Sequence, residues 1–140
     1  MVSVHRTYLT KYGYKAPVES AKKIMGVPYP LTCSGAAIRL YPAGKTLAIA
    51  EGIETALALR VSLRMRVWAA ISAHGLETIV IPNKVERVLI GADNDKNGRG
   101  QLAASRLAKR LRHEGREVRI ITPEQVGSDW ADVLLEGGLI

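Results

Sequence analysis

From Leu47 onward, short unbroken apolar runs alternate with longer segments in which apolar residues recur every three or four positions. Runs of the first kind suit strands buried on both faces, and the second kind suits helices packed on a sheet. LAIA at 47–50 predicts a first strand, followed by a helix whose Ile53, Leu57 and Val61 recur at four-residue spacing. VWAAIS at 67–72 predicts a second strand and His74 to Thr78 a short helix. Val85 to Ala92, containing VLIGA, predicts a third strand. Gly98 to Glu114 then reads as a long amphipathic helix with Leu102, Leu107 and Leu111 inward and Arg106, Lys109, Arg110 and His113 outward, stopped at Gly115. EVRIITP at 117–123 is a fourth strand ended by proline, and SDWADVLLEGG a short final helix. Strands alternating with helices in this way predict an α/β fold, a four-stranded mainly parallel sheet flanked by helices, over residues 47–140.

Residues 1–46 have a different texture. Tyrosines, glycines and Pro17, Pro28, Pro30 and Pro42 punctuate two β-like stretches, VHRTYL and AAIRLY, which predicts a small β-rich antiparallel appendage. Its abrupt start suggests a piece of a longer parent protein.

Composition narrows the partners. The chain has 140 residues and a formal charge of +7, a balance that favours polyanions. Many of the cations, Arg99, Arg106, Lys109, Arg110, Arg112, Arg116 and Arg119, lie in the C-terminal half. The single cysteine, Cys33, excludes an internal disulfide and a Cys-rich zinc site. Without an apolar leader or a membrane-length apolar run, a cytoplasmic location and no membrane partner are expected.

Chemistry concentrates where the strands end. In an open parallel sheet, ligands bind beyond the carboxyl ends of the strands. Glu51 directly follows LAIA, and Asp93 and Asp95 directly follow VLIGA, with the alternation in DND turning both aspartates to one side. If those strands are neighbours, three carboxylates share a crevice, and their repulsion calls for a hard cation, Mg²⁺ or Mn²⁺. Asp129 and Asp132 in GSDWADVL extend that metal site directly or through water, or else Ser128 or Asp129 is a plain N-cap for the final helix. Glu54 is either a supporting acid or one favoured by the helix N-terminus. Lys96 and Arg99 flank the carboxylates at a glycine-rich helix start, where a phosphate is favoured. His5, His74 and His113 show no metal-ligand spacing.

Three look-alikes fail. DNDKNG opens like a calcium-binding EF-hand loop, but its twelfth position is Ala104 and a strand precedes it; AGKT at 43–46 ends like a P-loop, but the first glycine would fall at Arg39 and no helix follows. The phosphatase DxD nucleophile follows the first strand of its fold, whereas DND follows the third.

A strand ending in EG within AEGIETAL, then one ending in DxD within IGADNDKNGRG, resembles the Toprim domain shared by primases, type IA and II topoisomerases and OLD-type nucleases. The order VHRTYL, GAAIRL, EGIETALA, VWAAIS, ADND and DWADVL resembles most closely the Toprim domains of phage and plasmid primase-like proteins. The resemblance implies that residues 1–46 end a primase core's N-terminal subdomain and that Glu51 is a general acid/base near the metal. It also implies that Asp93 and Asp95 are metal ligands and that Asp129 and Asp132 match the later acidic pair, spaced more widely here than is usual. Cellular primases carry an aspartate where this chain has Thr55. The implied activity is Mg²⁺-dependent nucleotidyl transfer from nucleoside triphosphates in primer synthesis on a single-stranded DNA template, with zinc-binding and helicase domains in the parent protein. A Toprim nuclease, attacking with water, and a non-catalytic nucleic-acid or nucleotide-binding module are the alternatives; a topoisomerase would need a tyrosine on a further domain.

Overall fold

The computed structural model describes residues 3–27 and 32–138, so Pro28 and Pro30 lie outside the described residues. Two compact units divide between Cys33 and Ser34. In the first, β1 (His5–Thr7) pairs antiparallel with β2 (Lys22–Ile24), His5 opposite Ile24 and Thr7 opposite Lys22. Tyr8 N–H donates to the Ala21 carbonyl at 2.8 Å and extends the ladder past the strand end.

The second unit is a five-stranded sheet in the order β3-β5-β4-β6-β7. Its strands are β3 (Ile38–Arg39), β4 (Thr46–Ala50), β5 (Val67–Ala69), β6 (Arg87–Gly91) and β7 (Glu117–Ile121). Four are mutually parallel, and β3 adds a fifth, antiparallel strand at the edge. The AAIRLY stretch, read from the sequence within residues 1–46, supplies β3 to this sheet, with Ile38 opposite Ala69 of β5.

The central strands β4, β5 and β6 are apolar beyond their first residues because each of their faces meets helices, whereas the edge strand β7 keeps Glu117 and Arg119 exposed. Along β4, Leu47 and Ile49 join one core, while Ala48 and Ala50 join the other. The first core is completed by α2 (Ala73–Thr78) and α3 (Arg99–His113), through Leu76, Ala103, Leu107 and Leu111. The second is completed by α1 (Ile53–Leu63) and α4 (Trp130–Leu135), through Ala56, Leu59 and Trp130. Gly91 marks the tightest point of that second layer: a Cβ there would lie 2.7 Å from Leu59 Cδ1 and 3.3 Å from Trp130 Cδ1.

Two expected helix faces are turned. In α1 the four-residue stripe is not the core face: Leu57 and Val61 are exposed, and Thr55, Ala56, Ala58 and Leu59 are buried. Small alanines let the helix lie close to the sheet, and apolar residues all round leave periodicity nothing to select. Leu102 is exposed as well, since it stands five residues, about 140° of helical rotation, from Leu107. The stripe that packs is Gly100, Ala103, Ala104, Leu107, Ala108 and Leu111.

Candidate metal and phosphate site

Strand order fixes where a site can form. From β4 the chain crosses through α1 to β5 on one side, and from β6 it crosses through α3 to β7 on the other. The adjacent strands β4 and β6 therefore flank a topological switch point, the place where open α/β sheets hold ligands. Register pairs Ala50 with Gly91, so Glu51 emerges beside Ala92 and Asp93 one residue later.

Asp93 is the most constrained of these acids. It is half-buried, and its Oδ1 accepts a hydrogen bond from Thr55 Oγ1 of α1 at 3.0 Å. The Asp93 carboxyl is pushed up to about 6, chiefly by burial, with the Thr55 hydroxyl drawing it down and the charges of Asp129, Glu51 and Asp95 adding to the rise. Asp95 is held from another side: its Oδ2 accepts from Gly100 N–H at the start of α3, at 3.3 Å. β6 ends at Gly91, so the DND segment lies just beyond the strand, with Ala92 N–H still donating to the Ile121 carbonyl at 3.0 Å. An open cleft of about 390 Å³ is lined by Glu51, Ser72, Ala73, Asp95, Asn97 and Arg99. Glu51 and Asp95 thus share a cavity, and Asp93 adjoins them electrostatically.

The backbone is strained beside this cleft. Ile71, a β-branched residue, has φ +77°, while its N–H donates to the Glu51 carbonyl at 2.7 Å. Directly after it, Ser72 caps α2 by accepting from Gly75 N–H at 3.0 Å. Only glycine fits at 75, since a Cβ would stand 2.1 Å from the Ala70 carbonyl oxygen.

Asp129 and Asp132 form a capping box. Asp129 Oδ1 accepts from Ala131 and Asp132 N–H at 2.7 and 2.9 Å, and Asp132 Oδ2 accepts from Asp129 N–H at 3.0 Å. Asp129 is half-buried and its charge reaches Asp93; Asp132 is exposed. The loop bearing Asp129 is tied to the DND segment by Asn94, whose Nδ2 donates to the Pro123 and Glu124 carbonyls and whose Oδ1 accepts from Gln101 Nε2. Asn94 does not stand out in the sequence as a site residue, because its Pro123 partner lies 29 positions away; Thr55 is marked only as the place where cellular primases carry an aspartate, and its bond to Asp93, 38 positions on, is not legible.

Of the two cations beside the carboxylates, Arg99 lines the cleft; Lys96 is exposed, with its Cε 3.6 Å from where a Cβ on Gly127 would lie. The amides at the start of α3 are partly committed, Arg99 N–H to Asn97 Oδ1 at 2.9 Å and Gly100 N–H to Asp95, so they form no open phosphate cradle. Much of the C-terminal basic cluster braces the fold. Arg110, expected to face outward, donates to the Glu77 carbonyl in the last turn of α2 and the Ile79 carbonyl just after it. Arg112 donates to Val118, and Arg116 to Val85 and Ile81.

The donor set is wholly carboxylate oxygen, which suits a hard divalent cation. Among the described residues no three His, Cys, Asp or Glu side chains are gathered closely enough to enclose an ion. Mg²⁺ characteristically takes one or two carboxylates, several waters and substrate phosphates rather than a full protein cage, so an open, mutually repelling group fits it.

The model of the Toprim domain family matches residues 46–139. The chain belongs to the Toprim family. Solved structures carry the likeness to primases. A DNA primase domain from Pseudomonas aeruginosa superposes with TM-score 0.62 at 16% identity, covering 97% of this chain and 47% of that one. The E. coli primase catalytic core gives 0.61 at 18%, covering 97% and 49%. The Aquifex aeolicus primase, comprising zinc-binding and RNA polymerase domains, gives 0.63 at 18%, covering 98% and 34%. This Toprim chain therefore spans a third to a half of the length of those proteins, and at such identities they establish its fold. No curated protein matches it. Among the described residues no helix is long and apolar enough to cross a membrane.

Proposed function

We propose that this Toprim domain is the Mg²⁺- or Mn²⁺-dependent catalytic part of a primase-type nucleotidyltransferase that extends a primer on single-stranded DNA from nucleoside triphosphates. One observation carries the reading: Glu51, Asp93 and Asp95 sit at the carboxyl ends of two adjacent parallel strands at the sheet's switch point, and Glu51 and Asp95 line one open cleft with Arg99. The likeness to primase cores, one of them bound to single-stranded DNA, supports priming over other Toprim chemistries.

Asp93, Asp95 and Glu51 would hold the cation, with Asp129 as a nearby charge. When bound, the metal supplies neutralisation of the triphosphate, activation of the attacking 3′-hydroxyl and stabilisation of the leaving pyrophosphate. The remaining work falls to this chain's side chains. Glu51 takes the proton of the attacking hydroxyl, its carbonyl fixed by the Ile71 amide. Arg99 holds a phosphate at the cleft wall, and Lys96 contacts the nucleic-acid backbone beyond it. In a parent protein, zinc-binding and helicase domains would supply template choice and movement.

The test is a primer-synthesis assay with labelled nucleoside triphosphates on single-stranded DNA, with products sized. Mg²⁺-dependent extension that disappears in Asp95→Asn supports the reading. Shortened template without extension would establish the Toprim nuclease chemistry instead, and metal binding without either product a non-catalytic binding module.

A further inference from the structure

We propose that Thr55 is a positioning residue that fixes how Asp93 binds the cation and so makes the site favour Mg²⁺ over Ca²⁺. This rests on the metal-dependent reading above and adds to it a determinant of ion choice. Among the described residues Thr55 is the one buried polar side chain, 1% exposed in a layer otherwise built from Ala56, Ala58 and Leu59. A buried hydroxyl needs a partner, and this one donates to Asp93 Oδ1 at 3.0 Å.

The donor is rigid. Thr55 lies in the first turn of α1, whose neighbours Ala56 and Leu59 are fully buried, and a β-branched side chain on a helix has few rotamers. The carboxylate oxygen engaged by that hydroxyl is pinned in place and its electron density partly committed. Bidentate ligation would have to share Oδ1 with the hydroxyl, so single-oxygen ligation through Oδ2 is favoured. Mg²⁺ demands near-octahedral geometry with single oxygens, whereas Ca²⁺ accepts six to eight ligands and often takes both oxygens of one carboxylate. A threonine hydroxyl on Oδ1 therefore disfavours the calcium mode and leaves the magnesium mode available.

Calorimetric titrations of the full 140-residue chain with Mg²⁺, Mn²⁺ and Ca²⁺, each alone, test this in the wild type, Thr55→Val and Thr55→Ser. Valine keeps the shape and removes the donor; serine keeps the donor. The expected result is a loss of Mg²⁺ affinity of about tenfold or more in Thr55→Val, a smaller loss for Ca²⁺, and near wild-type behaviour in Thr55→Ser. Thermal melting verifies folding, and Thr55→Ala replaces valine if the latter melts early. A folded donor-less variant with an unchanged Mg²⁺-to-Ca²⁺ ratio overturns the proposal, including equal loss for both ions, which would reduce Thr55 to scaffolding. That outcome leaves the metal reading standing; a wild type that binds none of the three ions removes both.

Discussion

Asn94 Nδ2 donates to the Pro123 carbonyl at 2.8 Å, which fastens the segment after β6 to the segment after β7. The same residue's N–H donates to the Ser128 carbonyl at 3.0 Å, and its carbonyl accepts from Gly127 N–H. One side chain and one peptide unit thereby hold Asp129 at the edge of the carboxylate group. Asn94→Ala removes the side-chain donor to the Pro123 and Glu124 carbonyls, with an expected cost of about 1–3 kcal/mol. Amide hydrogen exchange over residues 124–129 should accelerate more than exchange in β4. Uniform acceleration would contradict the clamp.

The raised pKa of Asp93 has a definite sign. In the metal-free protein its carboxyl titrates near 6 against 3.8 for the free group, so the native state holds this proton more tightly than the unfolded state does. The associated stability is present at low pH and is lost as pH rises from about 4 through 6. Asp93→Asn retains an acceptor for Thr55 and removes the charge. It should stabilise the metal-free protein at pH 7 by on the order of 1 kcal/mol after solvent screening, and the gain should vanish below about pH 4. Melting curves at pH 4 and 7 with chelator present check it; a variant less stable than wild type at pH 7 contradicts it.

Asp129 and Asp132 are separable. Alanine at either position breaks the capping box and should cost about 1 kcal/mol of stability. Only Asp129 carries charge into the site, so Asp129→Ser, which keeps a capping oxygen, should retain stability and bind Mg²⁺ more weakly by severalfold. Asp132→Ala should bind it as the wild type does. Equal metal affinities in both variants would make Asp129 a cap alone.

Gly75→Ala tests the packing behind the cleft. Its Cβ would meet a backbone oxygen, not a flexible side-chain end, so α2 has to move away from Ala70. A loss of about 3 kcal/mol is expected in chemical denaturation. A near-neutral effect would show that the strained turn at Ile71 yields easily.

What the sequence discloses follows the range of the forces involved. LAIA and VLIGA are legible because burial on two faces demands unbroken apolar runs, and the carboxylates directly after them inherit their position from the strands. A helix cap at Ser128 or Asp129 is legible because capping is local, although the reciprocal bond from Asp132 is not. AAIRLY reads as β-like, but its pairing is not legible, since its partner β5 is about thirty positions away. The outward turn of Leu57 and Val61 is hidden for a different reason, that α1 is apolar on several faces and only the sheet's geometry selects one. Thr55 is marked by the resemblance as the place of a family aspartate, but its contact is with a residue 38 positions distant, which no local pattern discloses.

The central claim is that these carboxylates hold a catalytic divalent cation. Calorimetric titration of Mg²⁺ and Mn²⁺ into the wild type and into Asp93→Asn/Asp95→Asn, with folding followed by circular dichroism, tests it most directly. Saturable binding in the wild type that is absent from an equally folded double variant is the predicted result. Wild-type protein that binds neither ion, or a double variant that binds them undiminished, would contradict it.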